Sequence, residues 1–185
     1  MLEGSKIKLR KVQENDLEAL YSSLEEIVFS RKCFVYDLPS ANLFLENFLK
    51  SGFFSDQKGL LVLVDYKERI LGAIFFDQVQ IYDGYNLKFV VFEEKNYSHG
   101  MMSEALELFT HFFFNYKNIS RLQLLIPDYH RPAIRVAQKC GYKLEGVLRE
   151  ALFFQGKFID LCIYAKLKSD KHMEQLIQDE EKAVH

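Results

Sequence analysis

The sequence predicts an α/β fold: one twisted, mixed but mostly antiparallel sheet of six to seven strands, with helices on both faces. Three observations lead there. Short runs of alternating or continuous apolar residues are interleaved with longer runs of helical period, in the order strand, two helices, three strands, helix, strand, helix, two strands. One strand–helix–strand crossover, from Leu87–Phe92 through the helix after Gly100 to Leu122–Ile126, is long enough to make those two strands parallel. The 185 residues contain no repeat, low-complexity tract or Pro/Gly/Ser linker. The chain therefore reads as one domain over 1–168 with a charged tail over 169–185.

Each element has its own signal. Ile7 to Val12 alternates as a strand, with Lys6, Lys8, Arg10 and Lys11 reading as its solvated face. Asn15 or Asp16 is placed to cap a helix whose apolar residues are Leu17, Leu20, Tyr21, Leu24, Ile27 and Val28. After a basic and aromatic linker, Arg31 to Tyr36, Pro39-Ser40 restarts the helical pattern, which carries Leu43, Phe44, Phe48 and Leu49 and stops at Ser51-Gly52. Gly59 to Asp65 is almost continuously apolar, as in a strand buried on both faces. Tyr66 to Arg69 turns it into an antiparallel partner over Ile70 to Gln80, and Asp83-Gly84 turns again into Tyr85 to Phe92.

The next helix shows Met102, Ala105, Leu106, Phe109, Phe112, Phe113 and Tyr116 as one stripe. Pro127 closes the strand Leu122–Ile126. A short helix follows with Ala133, Ile134, Val136 and Ala137 apolar and Gly141 at its end. Tyr142 to Leu148 and Phe153 to Leu167 read as two last strands, with a turn beside Gln155-Gly156-Lys157. In the tail, Met173, Leu176 and Ile177 suit one docked helical turn or two.

Composition narrows the function classes. A net charge of -2 provides no footprint for non-specific nucleic-acid binding. Cys33, Cys140 and Cys162 lie far apart, with no CxxC pair and no His/Cys spacing for a metal. An odd number of unpaired cysteines and a polar N-terminus suit reduced thiols in a cytoplasmic protein. No apolar run reaches the length of a membrane span.

The stretch Lys95 to Leu106 draws attention on chemical grounds. A strand that runs through a small-residue turn into a helix collects unpaired N–H groups at the positive helix end, a natural place for a phosphate. One glycine, Gly100, is weak support by itself, because many such turns bind nothing.

Four pieces of sequence supply the context. They are Ile7-Lys8-Leu9-Arg10 followed by Asn15-Asp16-Leu17; Tyr97-Ser98-His99-Gly100-Met101-Met102-Ser103-Glu104-Ala105; Arg131-Pro132-Ala133-Ile134-Arg135-Val136 with Cys140-Gly141-Tyr142; and Leu144-Glu145-Gly146-Val147-Leu148-Arg149-Glu150. Together they make the chain, from about Ile7 to Lys168, resemble the GNAT superfamily of acyl-CoA-dependent N-acetyltransferases. The likeness is greatest to the branch that includes the ribosomal-protein N-terminal acetyltransferases. The resemblance implies acetyl-CoA as co-substrate and a primary amine, of small-molecule, amino-sugar or protein N-terminal origin, as acceptor. It also implies a monomer or homodimer.

The resemblance further implies that the parallel strands splay to hold the thioester. The pyrophosphate of coenzyme A would lie on Ser98, His99, Gly100, Met101, Met102 and Ser103. The pantetheine arm would run along the backbone of Val90, Val91 and Phe92, with an N–H near Val91 or Phe92 as oxyanion donor. His130 and Arg135, on the short helix, would also meet the cofactor.

The chain departs from the family pattern at several of these places. Tyr97 and Met102 replace a Gln/Arg and a Gly/Ala of the loop, and Met102 either obstructs the phosphate or turns into the core. Leu87 or Lys88 stands where many relatives carry a catalytic glutamate, and Ala137 where they carry a proton-donating tyrosine. The usual Asn of the short helix is His130, and Ala133 replaces a serine found in some relatives. A histidine titrates near about 6.5 and suits either direction of proton transfer, so His130 is the candidate replacement, with Tyr129 and Tyr142 as candidate donors. A helix-capping role for His130 and a core position for Tyr142 stand beside these. A fold that binds CoA without turning it over is the second reading.

Overall fold

The structure is a computed structural model, and it describes residues 1–30, 38–96 and 99–170. The linker Arg31–Tyr36, Tyr97, Ser98 and the tail helix expected around Met173 lie outside the described residues. Among the described residues, eight strands form one sheet: β1 (Leu2–Glu3), β2 (Lys8–Lys11), β3 (Lys58–Val64), β4 (Ile70–Gln78), β5 (Gly84–Val91), β6 (Arg121–Pro127), β7 (Lys143–Phe154) and β8 (Lys157–Leu167). Their order is β1-β2-β3-β4-β5-β6-β8-β7, and β5–β6 is the one parallel pair among the described strands. The count exceeds the expected six to seven by β1, two residues too short to leave a periodic signal.

Among the described residues, four helices cover the sheet: α1 (Leu17–Ser30), α2 (Ala41–Ser51), α3 (Met101–Tyr116) and α4 (Arg131–Lys139). On one face, Leu20, Leu24 and Ile27 of α1 and Phe44 of α2 pack on Val62, Val64, Ala73 and Val90. On the other, α3 and α4 bury a larger aromatic core. Phe109 stacks on Phe113 at 4.2 Å, and Phe113 meets Phe76 and Tyr85 edge-on at 4.8 and 5.2 Å. This alternation along each strand puts odd-numbered β5 residues toward α3 and even-numbered ones toward α1.

Several local predictions hold for the expected reasons. Ser40 caps α2 by accepting from Leu43 N–H at 3.5 Å, and Gly52 ends it in the left-handed region. Gly141 has φ 76 after α4, and Gln155-Gly156 turns β7 into β8 with both residues at positive φ. The α3 stripe is rotated from expectation. Thr110 and Phe114 are buried, while Tyr116 is 62% exposed and stacks with Phe112 at the rim.

Arg10 corrects the reading of β2 as having a solvated basic face. Its side chain is 7% exposed and forms a bidentate pair with Asp16, itself 5% exposed, at 2.6 and 3.0 Å. The hydrogen bonds that Arg10 donates to Asp16 and to Glu68 raise the guanidinium pKa further. Asp16 also accepts Gln13 N–H at 2.7 Å, and so ends β2, caps the 3₁₀ turn Glu14–Asp16 and launches α1.

Candidate functional site

The site begins where the parallel pairing stops. β5 and β6 are in register from Gly84↔Arg121 to Leu87↔Leu124 and no further, although β5 continues to Val91 and β6 to Pro127. Beyond that point β5 stays paired to β4, and β6 to β8. The sheet therefore forks, and a cleft of about 820 Å³ fills the fork. Its walls are the C-terminal halves of the two strands, the first turn of α3 and one face of α4, with Ile27 closing it from α1.

Backbone hydrogen bonding decides which amides the fork can use. Phe92 N–H donates to Leu71 carbonyl at 3.0 Å, so it belongs to the β4 ladder. The antiparallel alternation then turns the N–H and C=O groups of Phe89 and Val91 away from β4 and into the fork. Of the three strand residues expected to meet the pantetheine arm, Val91 is the one whose backbone is free to do so. Phe89 joins it, and the Phe92 N–H is excluded as an oxyanion donor. Val90 leans the other way, its carbonyl lying against Gly72.

At the far end of the fork stands the N-terminus of α3. Gly100 is its N-cap, with φ 76, and no side chain caps the helix. The first-turn amides are thus left to an outside acceptor, and a left-handed residue is needed at the entry. A methyl group built on Gly100 would reach only Lys6 Nζ at 3.8 Å and Lys139 Nζ at 4.0 Å. Two ammonium groups consequently flank the amide cluster, and Arg135, one turn before Lys139, lines the same wall. Lys6 is held there by donating to His99 carbonyl at 3.1 Å. Its backbone N–H and that of Ser5 donate to the Glu104 carboxylate in the first turn of α3.

The remaining candidates fall in different places. Met101, Met102 and Ser103 all reach the cleft wall, but Met102 is 5% exposed and packed in the α3 core, so it does not block the loop. His99 turns its ring back to Lys95 carbonyl at 3.1 Å. His130 lines the cleft as the N-cap of α4, where Nδ1 accepts Ala133 N–H at 3.2 Å. That bond leaves the neutral ring its proton on Nε2, and protonating Nδ1 would break the cap. Tyr129 is half exposed and is not part of the cleft wall.

Tyr142 is corrected as a proton donor. It is buried beneath α3, shares a 2.7 Å hydrogen bond with Thr110, and its pKa is raised by burial. Cys140 is equally internal. Burial pushes its thiol up to about 12, and Sγ donates to Ser103 carbonyl at 3.3 Å, so it is a packing group.

Sequence reasoning missed Lys6 and Lys139. Lys139 was open to discovery, since it lies four residues after Arg135 on one helix face. Lys6 carries no such signal, because 93 residues separate it from His99.

A fork between two parallel strands, with uncapped helix amides at one end and a strand edge along its wall, can hold a long thioester cofactor in extended form. The comparisons agree. A family model described as an acetyltransferase (GNAT) domain matches residues 6–143, and the chain belongs to that family. It is an acyl-CoA-dependent N-acyltransferase by fold and family, with acetyl-CoA as the co-substrate. No curated protein matches the chain significantly.

Among solved structures it is similar to the spermidine N-acetyltransferase from Vibrio cholerae in complex with CoA and spermine, at 17% identity and a TM-score of 0.78. That match covers 90% of this chain and 98% of the other. Mutant forms of the spermidine/spermine N-acetyltransferase SpeG from the same organism match at 18% identity and a TM-score of 0.78, over 93% and 99%. RimL, a ribosomal L7/L12 alpha-N-protein acetyltransferase in complex with coenzyme A, matches at 15% identity and 0.74, over 89% and 95%. At these identities the likeness is one of fold.

Proposed function

We propose that the protein transfers an acetyl group from acetyl-CoA to a small primary amine by direct attack of the amine on the thioester. It does so as a single domain over 1–168 followed by the tail, in a reducing cytoplasmic compartment. The observation that carries the reading is the fork itself, with Phe89 and Val91 offering free backbone along its wall and Met101–Ser103 offering uncapped amides at the phosphate end. Acetyl-CoA supplies the activated acyl group. The chain's part is to align it along β5, to place the Val91 or Phe89 N–H where charge develops on the carbonyl oxygen, and to exclude water with apolar walls. The free, buried thiols of Cys140 and Cys162 support a reducing compartment.

Calorimetry with acetyl-CoA, followed by thiol release across a panel of amines, tests the reading. No heat of binding at millimolar cofactor would sink both the enzyme and the CoA-binding alternative, while binding without release from any amine would favour the alternative.

Two predictions belong to this site. Replacing Lys6 and Lys139 together by alanine is expected to weaken CoA binding about tenfold, ~1.4 kcal/mol, and less at high salt because the charges are exposed. An affinity unchanged at low salt would remove them from the phosphate site. His130→Ala is expected to cost about 1 kcal/mol of stability through the lost cap. His130→Asn, which keeps a capping acceptor, should retain both the stability and turnover within about threefold. A tenfold fall in the rate of the asparagine variant would instead place a proton transfer on the ring.

A further inference from the structure

We propose that Asp77 is the acceptor-binding carboxylate of this site: it receives the ammonium group of a cationic amine and takes the proton whose loss makes the nitrogen nucleophilic. The proposal deepens, and rests on, the acyl-transfer reading. Among the described residues, Asp77 is the one acidic side chain in the wall of the cleft. It sits on β4, directly opposite Asn86, with Phe75 opposite Lys88. Residues opposed in this way share a face, and Phe75 and Val90 pack in the α1/α2 core. Asp77, Asn86 and Lys88 therefore face away from α3 and its phosphate-binding amides. Cofactor and acceptor would enter the fork from opposite faces of the sheet, and Asp77 stands on the acceptor's side.

The carboxylate is accessible and loosely held. Its side chain is 48% exposed, and Lys88 Nζ approaches Oδ2 only to 4.0 Å, the outer limit of an ion pair. Lys88 is a stand-in cation that an incoming ammonium can displace. The other charged group on a flanking strand is Lys58, its register partner on β3. Of the helices on this face, α1 contributes Ile27 to the cleft and α2 contributes nothing. The remaining titratable group at the reaction end, His130, has its Nδ1 committed to the α4 cap.

A partly buried polar chain, with Gln123 at its centre, orients the neighbouring amide. Tyr82 Oη and Arg121 Nε both donate to Gln123 Oε1, at 2.5 and 3.0 Å. Gln123 Nε2 must then donate to Asn86 Oδ1, at 2.5 Å, which fixes the orientation of the amide at the register position opposite Asp77. Arg121 is in turn gripped by both oxygens of Glu145 at 2.9 and 2.5 Å. Asn86 is thus a positioning residue, an amide held in one orientation on the face of the sheet that Asp77 occupies.

The step balances. The alkylammonium gives one proton to Asp77, and the nitrogen lone pair forms the C–N bond to the thioester carbonyl. The C–S bond breaks, and the thiolate takes the second nitrogen proton to leave as free coenzyme A. The third stays on the amide, and Asp77 returns its proton to solvent.

The test uses the whole chain, n-butylamine and putrescine as acceptors, and Asp77→Asn and Lys88→Ala. Asp77→Asn should leave the calorimetric affinity for acetyl-CoA unchanged and lower kcat/KM for either amine at least tenfold at neutral pH. The deficit should shrink as pH rises toward the amine pKa of about 10, where the acceptor is already neutral. Lys88→Ala should lower KM for the amine, because the competing cation is gone. A wild-type kcat/KM in Asp77→Asn at neutral pH, or an equal loss at every pH accompanied by lost cofactor affinity, would overturn the assignment. Absence of turnover by the wild-type protein would overturn the acyl-transfer reading and this one with it. Turnover in the wild type with Asp77→Asn unaffected overturns this one alone.

Discussion

Asp16→Ala is expected to lower stability by about 3 kcal/mol, the low end of the range for leaving one member of a buried ion pair without its partner. The pair lies almost wholly out of water, so the guanidinium of Arg10 cannot simply rehydrate when the carboxylate is removed. Glu68 remains within 3.0 Å of Arg10 Nε and is half exposed, which is why the loss stays at the low end. Asp16 also holds the N–H of Gln13 at the entry to α1, so part of the loss is a helix start. For a chain of this size the change corresponds to a fall in Tm of roughly 6–12 °C. Urea unfolding of the variant measures it directly, and a change below about 1 kcal/mol would show that the pair is solvated in practice.

Gly72→Ala is expected to be damaging in a different manner, because it strikes the wall of the fork. A methyl group on Gly72 would lie 2.2 Å from the Val90 carbonyl oxygen and 3.2 Å from the Val91 Cα, so β4 and β5 would have to move apart. Overpacking of this kind costs about 1–3 kcal/mol. The strand edge that moves is the one that presents Phe89 and Val91 to the cofactor. Affinity for acetyl-CoA should therefore fall by about tenfold or more in addition to the loss of stability. Equal melting temperatures and equal calorimetric affinities in the variant and the wild type would contradict the close approach of these strands. A glycine within a strand often marks such an approach, and here it explains why the residue opposite Val91 has no side chain.

The pattern of the chain was enough for the sheet-and-helix order, for the crossover that makes β5 and β6 parallel, and for most helix ends. These are local facts. Apolar period, a capping Ser40, and Gly52 or Gly141 just past a helix act over a few residues and are written in neighbouring positions. The resemblance extended this reading to the cofactor loop at Gly100 and the strand beside it. Met102 was legible too, since its place in the α3 stripe already turned it inward.

What only the tertiary structure decided depends on groups far apart in sequence. Arg10 reads as one more surface cation in an alternating strand until Asp16 is seen folded back onto it. Which amides face the fork follows from the β4–β5 register, since Phe92 N–H is consumed by Leu71 and Val91 N–H is not. The flanking of Gly100 by Lys6 and Lys139 needs the N-terminal segment to be docked against α3 through Glu104. Asp77 stands in the acceptor half of the cleft because β4 and β5 pair with one parity and the sheet opens just beyond it. Side-chain periodicity is a property of one segment, whereas an active site is made where segments meet, and the pairing register between strands sets that meeting.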